Sequence, residues 1–251
     1  MSNSVKSFTY KNPPITEAII DFQFNLDGIT IEKIEDFYEK FKKYYPSNEK
    51  IISNRGTFSI GLKDGDVNHS VQTEDVGFKY VNDDKKYVLV ITKGNFSLTR
   101  LAPYENWDKF SSEAKRIFAA VIDEFEFPDI TRVGIRYINK IDIPLPIDDF
   151  DEYLKNPPVI PSELPQGISN FLMTYQIPMT DINGLAQLTQ TMLSQGENAS
   201  ILSIILDIDI SSHNNLPTNT SDLWLLVDKI RTKKNLIFKS HITKKAEELF
   251  S

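Results

Sequence analysis

The sequence contains no cysteine, which excludes disulfide bonds, thiolate metal sites and cysteine nucleophiles. Glycine is also scarce, and none of the 10 glycines falls in the G-x-G-x-x-G or G-x-x-x-x-G-K-[ST] spacing whose backbone amides hold phosphate groups. The G-x-S-x-G turn that carries the nucleophile of many hydrolases is missing as well. These absences argue against Rossmann and P-loop proteins and against cysteine and serine hydrolases.

Histidine occurs only three times, at His69, His213 and His241, and never with the paired spacing of strong zinc sites. Two acidic clusters, at 148–152 and at Asp207 with Asp209, have the oxygen ligands that Mg²⁺ uses. The first also fits a helix N-terminus, where carboxylates are favourable, and the second fits an outward-facing strand end. We therefore expect no metal, no cofactor and no catalytic residue.

Long hydrophobic runs are absent too, because no stretch approaches the ~20 apolar residues of a membrane-spanning helix. The N-terminal segment lacks the apolar run of a secretory signal. The longest apolar stretch, Ile201 to Ile210, is interrupted by Ser203, Asp207 and Asp209. The sequence predicts a soluble cytoplasmic protein without membrane contact.

Positive charge is in deficit, and the net charge of −7 disfavours nucleic-acid binding driven by phosphate neutralisation. The charge is unevenly distributed: residues 129–222 have a net charge of −8, whereas residues 223–251 have a net charge of +4. One interpretation is that the basic terminal helix contacts an acidic partner. The other is that its basic residues form a solvated face while the helix packs on the acidic body of the protein.

Alternating and helical patterns are abundant in the remaining sequence. Glu17 to Phe24 and Thr131 to Ile143 alternate apolar and polar residues, which predicts strands with one buried face. Apolar residues at helical spacing predict helices over Ile31 to Tyr45, Tyr104 to Phe125 and Ser221 to Phe250, the last with a break. Further predicted elements are strands over 56–62, 76–81, 86–92, 95–101, 168–177, 185–193 and 199–210, and a short helix over 148–154.

The order of these elements reads as one pattern twice, with residues 1–128 as a first β-α-β4-α repeat and residues 129–251 as a second. Such a duplication predicts an α+β protein in which both repeats share one continuous, curved antiparallel sheet with helices on one face. That is the saddle architecture of TATA-binding-protein-like folds, and a helix-grip fold is the alternative. A shared sheet would make the chain a single structural domain.

Three segments carry a family resemblance: Asn12 to Ala18 (NPPITEA), Arg132 to Lys140 (RVGIRYINK) and Phe238 to Thr243 (FKSHIT). Together they resemble a sporadically distributed family of bacterial proteins of about this length. No biochemical activity is established for that family, so the resemblance implies no catalytic residues. Its patchy distribution, similar to that of mobile or defence-associated genes, implies a conditional accessory role.

Charged residues of the two repeat-opening strands form the candidate site. If the apolar faces of these strands meet the helices, the opposite face carries the candidate ligand-binding residues. These are Glu17, Asp21, Arg132, Arg136 and Lys140. One hypothesis is that the arginines bind an anionic or polar ligand as bidentate donors. The alternative is a structural network of ion pairs between the strands.

The leading functional hypothesis is a non-enzymatic binding or regulatory module with a protein partner, and one form of it is an accessory protein of a bacterial defence or toxin–antitoxin-like pair. Its binding surface would be the polar sheet face, or sheet edges and loops such as the proline-rich loop from Pro157 to Gly167. Nucleic-acid binding through the concave sheet face is a second hypothesis. An enzyme that acts on a small polar or phosphorylated molecule, with Arg136 as anchor, is the third. The sequence leaves homo-oligomer formation open.

Overall fold

Nine antiparallel strands form one open sheet in the computed structural model, which describes residues 10–25, 28–60, 67–127, 129–194 and 200–251. The sheet order is β2-β3-β4-β5-β1-β6-β9-β8-β7. The strands are β1 (Ile15–Asn25), β2 (Ser47–Ile60), β3 (Val67–Val81), β4 (Tyr87–Thr92), β5 (Asn95–Leu101), β6 (Asp129–Pro144), β7 (Leu172–Met179), β8 (Gly184–Met192) and β9 (Ile201–Ser212). The described helices are α1 (Ile31–Tyr38), α2 (Trp107–Phe125), α3 (Thr220–His241) and α4 (Lys244–Glu248). The predicted α+β class with one antiparallel sheet is confirmed.

The core lies between the sheet and the long helices α2 and α3. Phe22 of β1 stacks on Phe118 of α2, with ring centroids 4.6 Å apart, and meets Trp224 of α3 edge-on at 5.6 Å. Alternate residues of β1 and β6 are buried on this side, as the period-two pattern predicts. The other side of the central strands, which we call the open face, carries the polar residues.

Local capping explains where the helices begin. The Asn106 side chain accepts a hydrogen bond from the Lys109 amide at 2.9 Å at the start of α2, and Thr30 caps α1 in the same way. Helix α1 is shorter than predicted, because beyond Tyr38 the chain continues as turns with i to i+3 bonds such as Phe41 N to Tyr38 O at 2.8 Å. The tighter turns bring Phe41 and Tyr45 into the core.

The second half differs from the predicted repeat in two respects. The helix predicted over 148–154 is only a 3₁₀ turn, Phe150–Glu152, because the chain then pairs Leu154 with Ile242 in an isolated bridge and enters the proline-rich loop. Three strands follow β6 in the described part of this half, whereas the predicted repeat requires four. The break predicted in the terminal helix is present, since extended Ile242 separates α3 from α4.

Strands β1 and β6 are neighbours in the middle of the sheet, flanked by β5 and β9. Their register places Asp21 opposite Gly134, Gln23 opposite Arg132 and Ile19 opposite Arg136. The two predicted repeat-opening strands therefore bring their charged side chains together on the open face. Among the helices described, none combines the length and apolar character that a membrane crossing requires.

Candidate functional site

Arg132 is at the centre of the open face, where it bridges two carboxylates from different strands. Its guanidinium donates to Asp21 of β1 and, at 3.0 and 3.3 Å, to both carboxylate oxygens of Asp209 on β9. Asn95 of β5 donates to the other oxygen of Asp21. Gly134 leaves room for this arrangement, because a Cβ there would lie only 2.5 Å from the guanidinium. Four adjacent strands are thus joined by one polar network.

Arg136 forms a second, bidentate ion pair. Its Nε lies 2.9 Å from Oδ1 of Asp207 and its terminal nitrogen lies 2.6 Å from Oδ2. This hydrogen bonding raises the pKa of Arg136 above its usual value, so the charge is permanent. Lys140 is paired too, since its amine lies 3.1 Å from Asp142. All three predicted cations therefore already have carboxylate partners.

Glu17 differs from the other four predicted residues, because it forms no ion pair within the described residues. Its side chain is half-buried on β1, and its negative charge contributes to the raised pKa of Arg136. Asp209, in contrast, has a raised pKa because burial disfavours its charge, an effect that Arg132 and Arg136 oppose. Carboxylates outnumber cations along the centre of the open face, where the charged residues are Glu17, Asp21, Arg132, Arg136, Lys140, Asp142, Asp207 and Asp209.

The structure thus brings together all five predicted site residues on one face, with Arg132 and Arg136 lining the same shallow depression. Asp207 and Asp209, considered above as metal ligands, serve instead as partners of these arginines. An anion that entered here would have to displace the carboxylates that already hold the guanidinium groups. The geometry therefore favours the ion-pair interpretation of this face over ligand binding.

The two histidines with described side chains make local contacts. His213 shares a 2.8 Å hydrogen bond with the hydroxyl of Ser211, and His241 lies 2.8 Å from the carbonyl of Ile237. The His69 side chain lies outside the described residues. Across the described ranges, no three histidine or acidic side chains converge in a way that could hold a metal ion.

Apolar exposure is concentrated at one edge of the sheet. Of the twelve large apolar side chains that are exposed in the described part of the chain, seven lie between residues 159 and 201. They belong to the proline-rich loop (157–167), the edge strand β7 and the ends of β8 and β9: Val159, Leu164, Leu172, Tyr175, Ile177, Leu193 and Ile201. Exposed apolar residues scattered singly are ordinary, but a concentration of them indicates a contact surface.

A cleft of about 680 Å³ lies beside this edge, between the 3₁₀ turn and the proline-rich loop. Apolar residues line it, including Phe150, Met192 and Leu202, and so do three acidic residues: Asp148, Asp149 and Asp151. Its volume lies in the range of ordinary ligand pockets. The acidic residues would complement a basic group on whatever enters.

Sequence reasoning missed Lys234 and Arg231 of α3. Lys234 is only 9% exposed, although the basic terminal helix is expected to be a solvated face. The sequence does contain a signal for the burial of Lys234, because this residue falls within an apolar stripe at helical spacing. The buried members of the stripe are Leu223, Val227, Ile230, Lys234 and Ile237. A lysine at a position of the apolar stripe marks a buried amine.

Comparison of the chain with models of known protein families and with curated protein sequences finds no match.

Proposed function

We propose that this protein is a non-enzymatic binding module that recognises a partner protein at the edge formed by β7 and the proline-rich loop. The observation that carries the proposal is the concentration of exposed apolar side chains there, next to a cleft whose lining includes three aspartates. Leu172 is 70% exposed and Val159 is 89% exposed, so covering them would release a substantial apolar area from water.

The partner would add an extended segment to the sheet. In the described part of the chain β7 pairs only with β8, and its outer backbone groups are free to pair with another strand. Tyr175 and Ile177 face the helix side of the sheet, and Leu172 faces the open side, so an added strand would find apolar contacts on both faces. Basic residues of the partner would face Asp148, Asp149 and Asp151 in the cleft.

The open face supports the alternative functions less well. A nucleic-acid reader needs uncommitted cations, whereas Arg132, Arg136 and Lys140 are paired with carboxylates in a locally acidic setting. An enzyme anchored by Arg136 would need that guanidinium to leave Asp207. Both observations favour a structural role for the central face.

The strand order is consistent with the proposed duplication. Each half places its first strand at the centre of the sheet and its later strands outward. Strands β5, β4, β3 and β2 follow β1 on one side, and strands β9, β8 and β7 follow β6 on the other. We interpret the sheet as a saddle formed by two diverged repeats, of which the second has lost one strand. The accessory role in a bacterial defence or toxin–antitoxin-like pair stays a proposal that rests on the family resemblance.

Site-specific photo-crosslinking tests the proposal. A photoreactive amino acid at Gln176 of β7 is expected to cross-link one protein species in native lysate, whereas the same group at exposed Lys42 beyond α1 is not. The cross-link should disappear in the Ile177→Lys variant, because a charge in the apolar contact opposes docking. A product of twice the chain mass would identify a second copy as the partner. Equal labelling from both positions, or labelling that Ile177→Lys leaves intact, would reject the edge as the interface.

A further inference from the structure

A small cavity of about 120 Å³ lies between the start of α2, strand β6 and helix α3. We call it the α2–α3 cavity. It lies on the helix side of the sheet and shares no lining residue with the cleft beside the proline-rich loop. The polar groups that face it are Tyr10, Tyr104, Glu105, Asn106, Asp108, Tyr137, Arg231, Lys234 and Asn235.

Two cations of α3 line this cavity without carboxylate partners. The amine of Lys234 lies 3.9 Å from the centre of the Tyr137 ring, and the guanidinium of Arg231 lies 5.1 Å from the centre of the Trp107 ring. Within the described residues neither side chain forms an ion pair or a hydrogen bond. Asp228, the nearest acid along the helix, instead accepts a hydrogen bond from the Trp107 indole at 3.0 Å.

An unpaired buried cation is unfavourable, and aromatic rings compensate it only in part. Burial, together with the charge of Arg231, lowers the pKa of Lys234 to about 7. A negative charge in the cavity would remove this penalty for the amine and would satisfy Arg231 as well. Two carboxylates also line the cavity, Glu105 and Asp108, but neither pairs with these cations, and Glu105 is held by Arg100 and Lys109. A bound anion would therefore supply the partner that Lys234 and Arg231 lack.

The tyrosine pair offers the anion a neutral donor. The hydroxyls of Tyr104 and Tyr137 lie 3.0 Å apart, and one proton lies between the two oxygens. The second hydroxyl proton is free to be donated elsewhere. Burial raises the pKa of Tyr104 to about 12, so this proton is retained at neutral pH. An ammonium, a guanidinium and a phenol together match the acceptor oxygens of an oxyanion.

We propose that the α2–α3 cavity is a binding site for a small oxyanion, the carboxylate or phosphate group of a small molecule, held by Lys234 and Arg231. The volume is below the roughly 300 Å³ at which pockets for drug-sized ligands begin, which restricts the ligand to a small molecule or to a single anionic group. The site is independent of the proposed protein interface, so either proposal can fail without the other.

Calorimetric titration of the full chain tests the site, with acetate as the carboxylate probe, and sulfate and inorganic phosphate as tetrahedral probes. Near pH 6 we expect saturable binding of at least one probe. Lys234→Met and Arg231→Gln should each weaken it about ten- to a hundredfold, the loss expected for a hydrogen bond to a charged group. Lys115→Met is the matched control, because this exposed lysine also lies over an aromatic ring, Trp224, but outside the cavity.

Preference for acetate would identify a carboxylate as the ligand group, and preference for sulfate or phosphate would identify a tetrahedral oxyanion. In either case the affinity for the anion should fall as the pH rises above about 7, because Lys234 loses its proton. The pH series uses acetate or sulfate, neither of which titrates in this range. No saturable binding, equal binding of chloride, or binding that Lys234→Met leaves unchanged would overturn the proposal. Arg231→Gln keeps the test decisive if Lys234→Met fails to fold.

Discussion

Replacement of Lys234 by methionine is expected to stabilise the protein, because it removes a buried charge that lacks a counterion. The pKa of Lys234 falls from an ordinary 10.5 to about 7. At about 1.36 kcal/mol per pH unit, this corresponds to a penalty of roughly 5 kcal/mol when the amine is protonated. Methionine keeps the unbranched shape and a favourable sulfur–aromatic contact with Tyr137, so we expect a net gain of about 3 to 5 kcal/mol near pH 6.

The pH dependence gives the more specific expectation. Between about pH 7 and about pH 10 the unfolded chain holds a proton on Lys234 that the folded chain has released. The stability of the unmodified protein therefore rises with pH in this window, whereas the methionine variant lacks this contribution. The stability advantage of Lys234→Met should consequently shrink by about 2 to 3 kcal/mol between pH 6 and pH 9.

Urea unfolding followed by far-ultraviolet circular dichroism, in buffer free of phosphate, sulfate and carboxylates, measures both effects. Lys115→Met provides the reference, and its effect should stay within about 0.5 kcal/mol at either pH because its amine is exposed. A constant difference between Lys234→Met and the unmodified protein across the pH range would refute the reasoning. So would a destabilised variant near pH 6, since it would mean that the amine has a counterion or free access to water.

Two further predictions concern the core and the open face. Phe118→Ala should destabilise the protein by about 3 to 5 kcal/mol, measured by the same unfolding experiment, because its fully buried ring contacts Phe22 and Trp224; a loss below about 1 kcal/mol would contradict this packing. A double-mutant cycle of Arg136→Met and Asp207→Asn should give a coupling energy of about 0.5 to 1 kcal/mol, because the pair is bidentate but Arg136 is substantially exposed. A coupling of zero would mean that the pair contributes nothing to the stability of the sheet.

Local signals predicted most elements of the fold. The alternation in Glu17 to Phe24 and in Thr131 to Ile143 identifies β1 and β6 because period two is a property of each strand alone. Helix α2 was predicted from its apolar stripe, and it begins where Asn106 caps it. Strands β2 and β3 are longer than predicted, because pairing of Ser47 with Val81 extends the hairpin through polar residues of weak strand preference.

The partners of the candidate site required information that the sequence does not contain. Asp207 and Asp209 meet Arg136 and Arg132 only because β9 lies beside β6 in a register that sets Arg136 opposite Asp209. Neither the strand order nor that register follows from the alternation of β9, which fits any neighbour equally well. The sequence therefore predicts which face of the sheet each candidate residue occupies, but it does not predict which carboxylate each arginine contacts.

Features that folding alone explains can be separated from features that point to a bound molecule. Ion pairs on the open face connect adjacent strands and satisfy their own charges, so folding alone explains them. Folding does not explain a buried lysine beside an arginine with no counterion, and it does not require seven apolar side chains in water at one edge. The buried charge destabilises the isolated chain, whereas the exposed side chains leave apolar area in water that a partner could bury. An oxyanion suits the first and a protein segment suits the second, and this difference in chemistry predicts two separate ligands for the two sites.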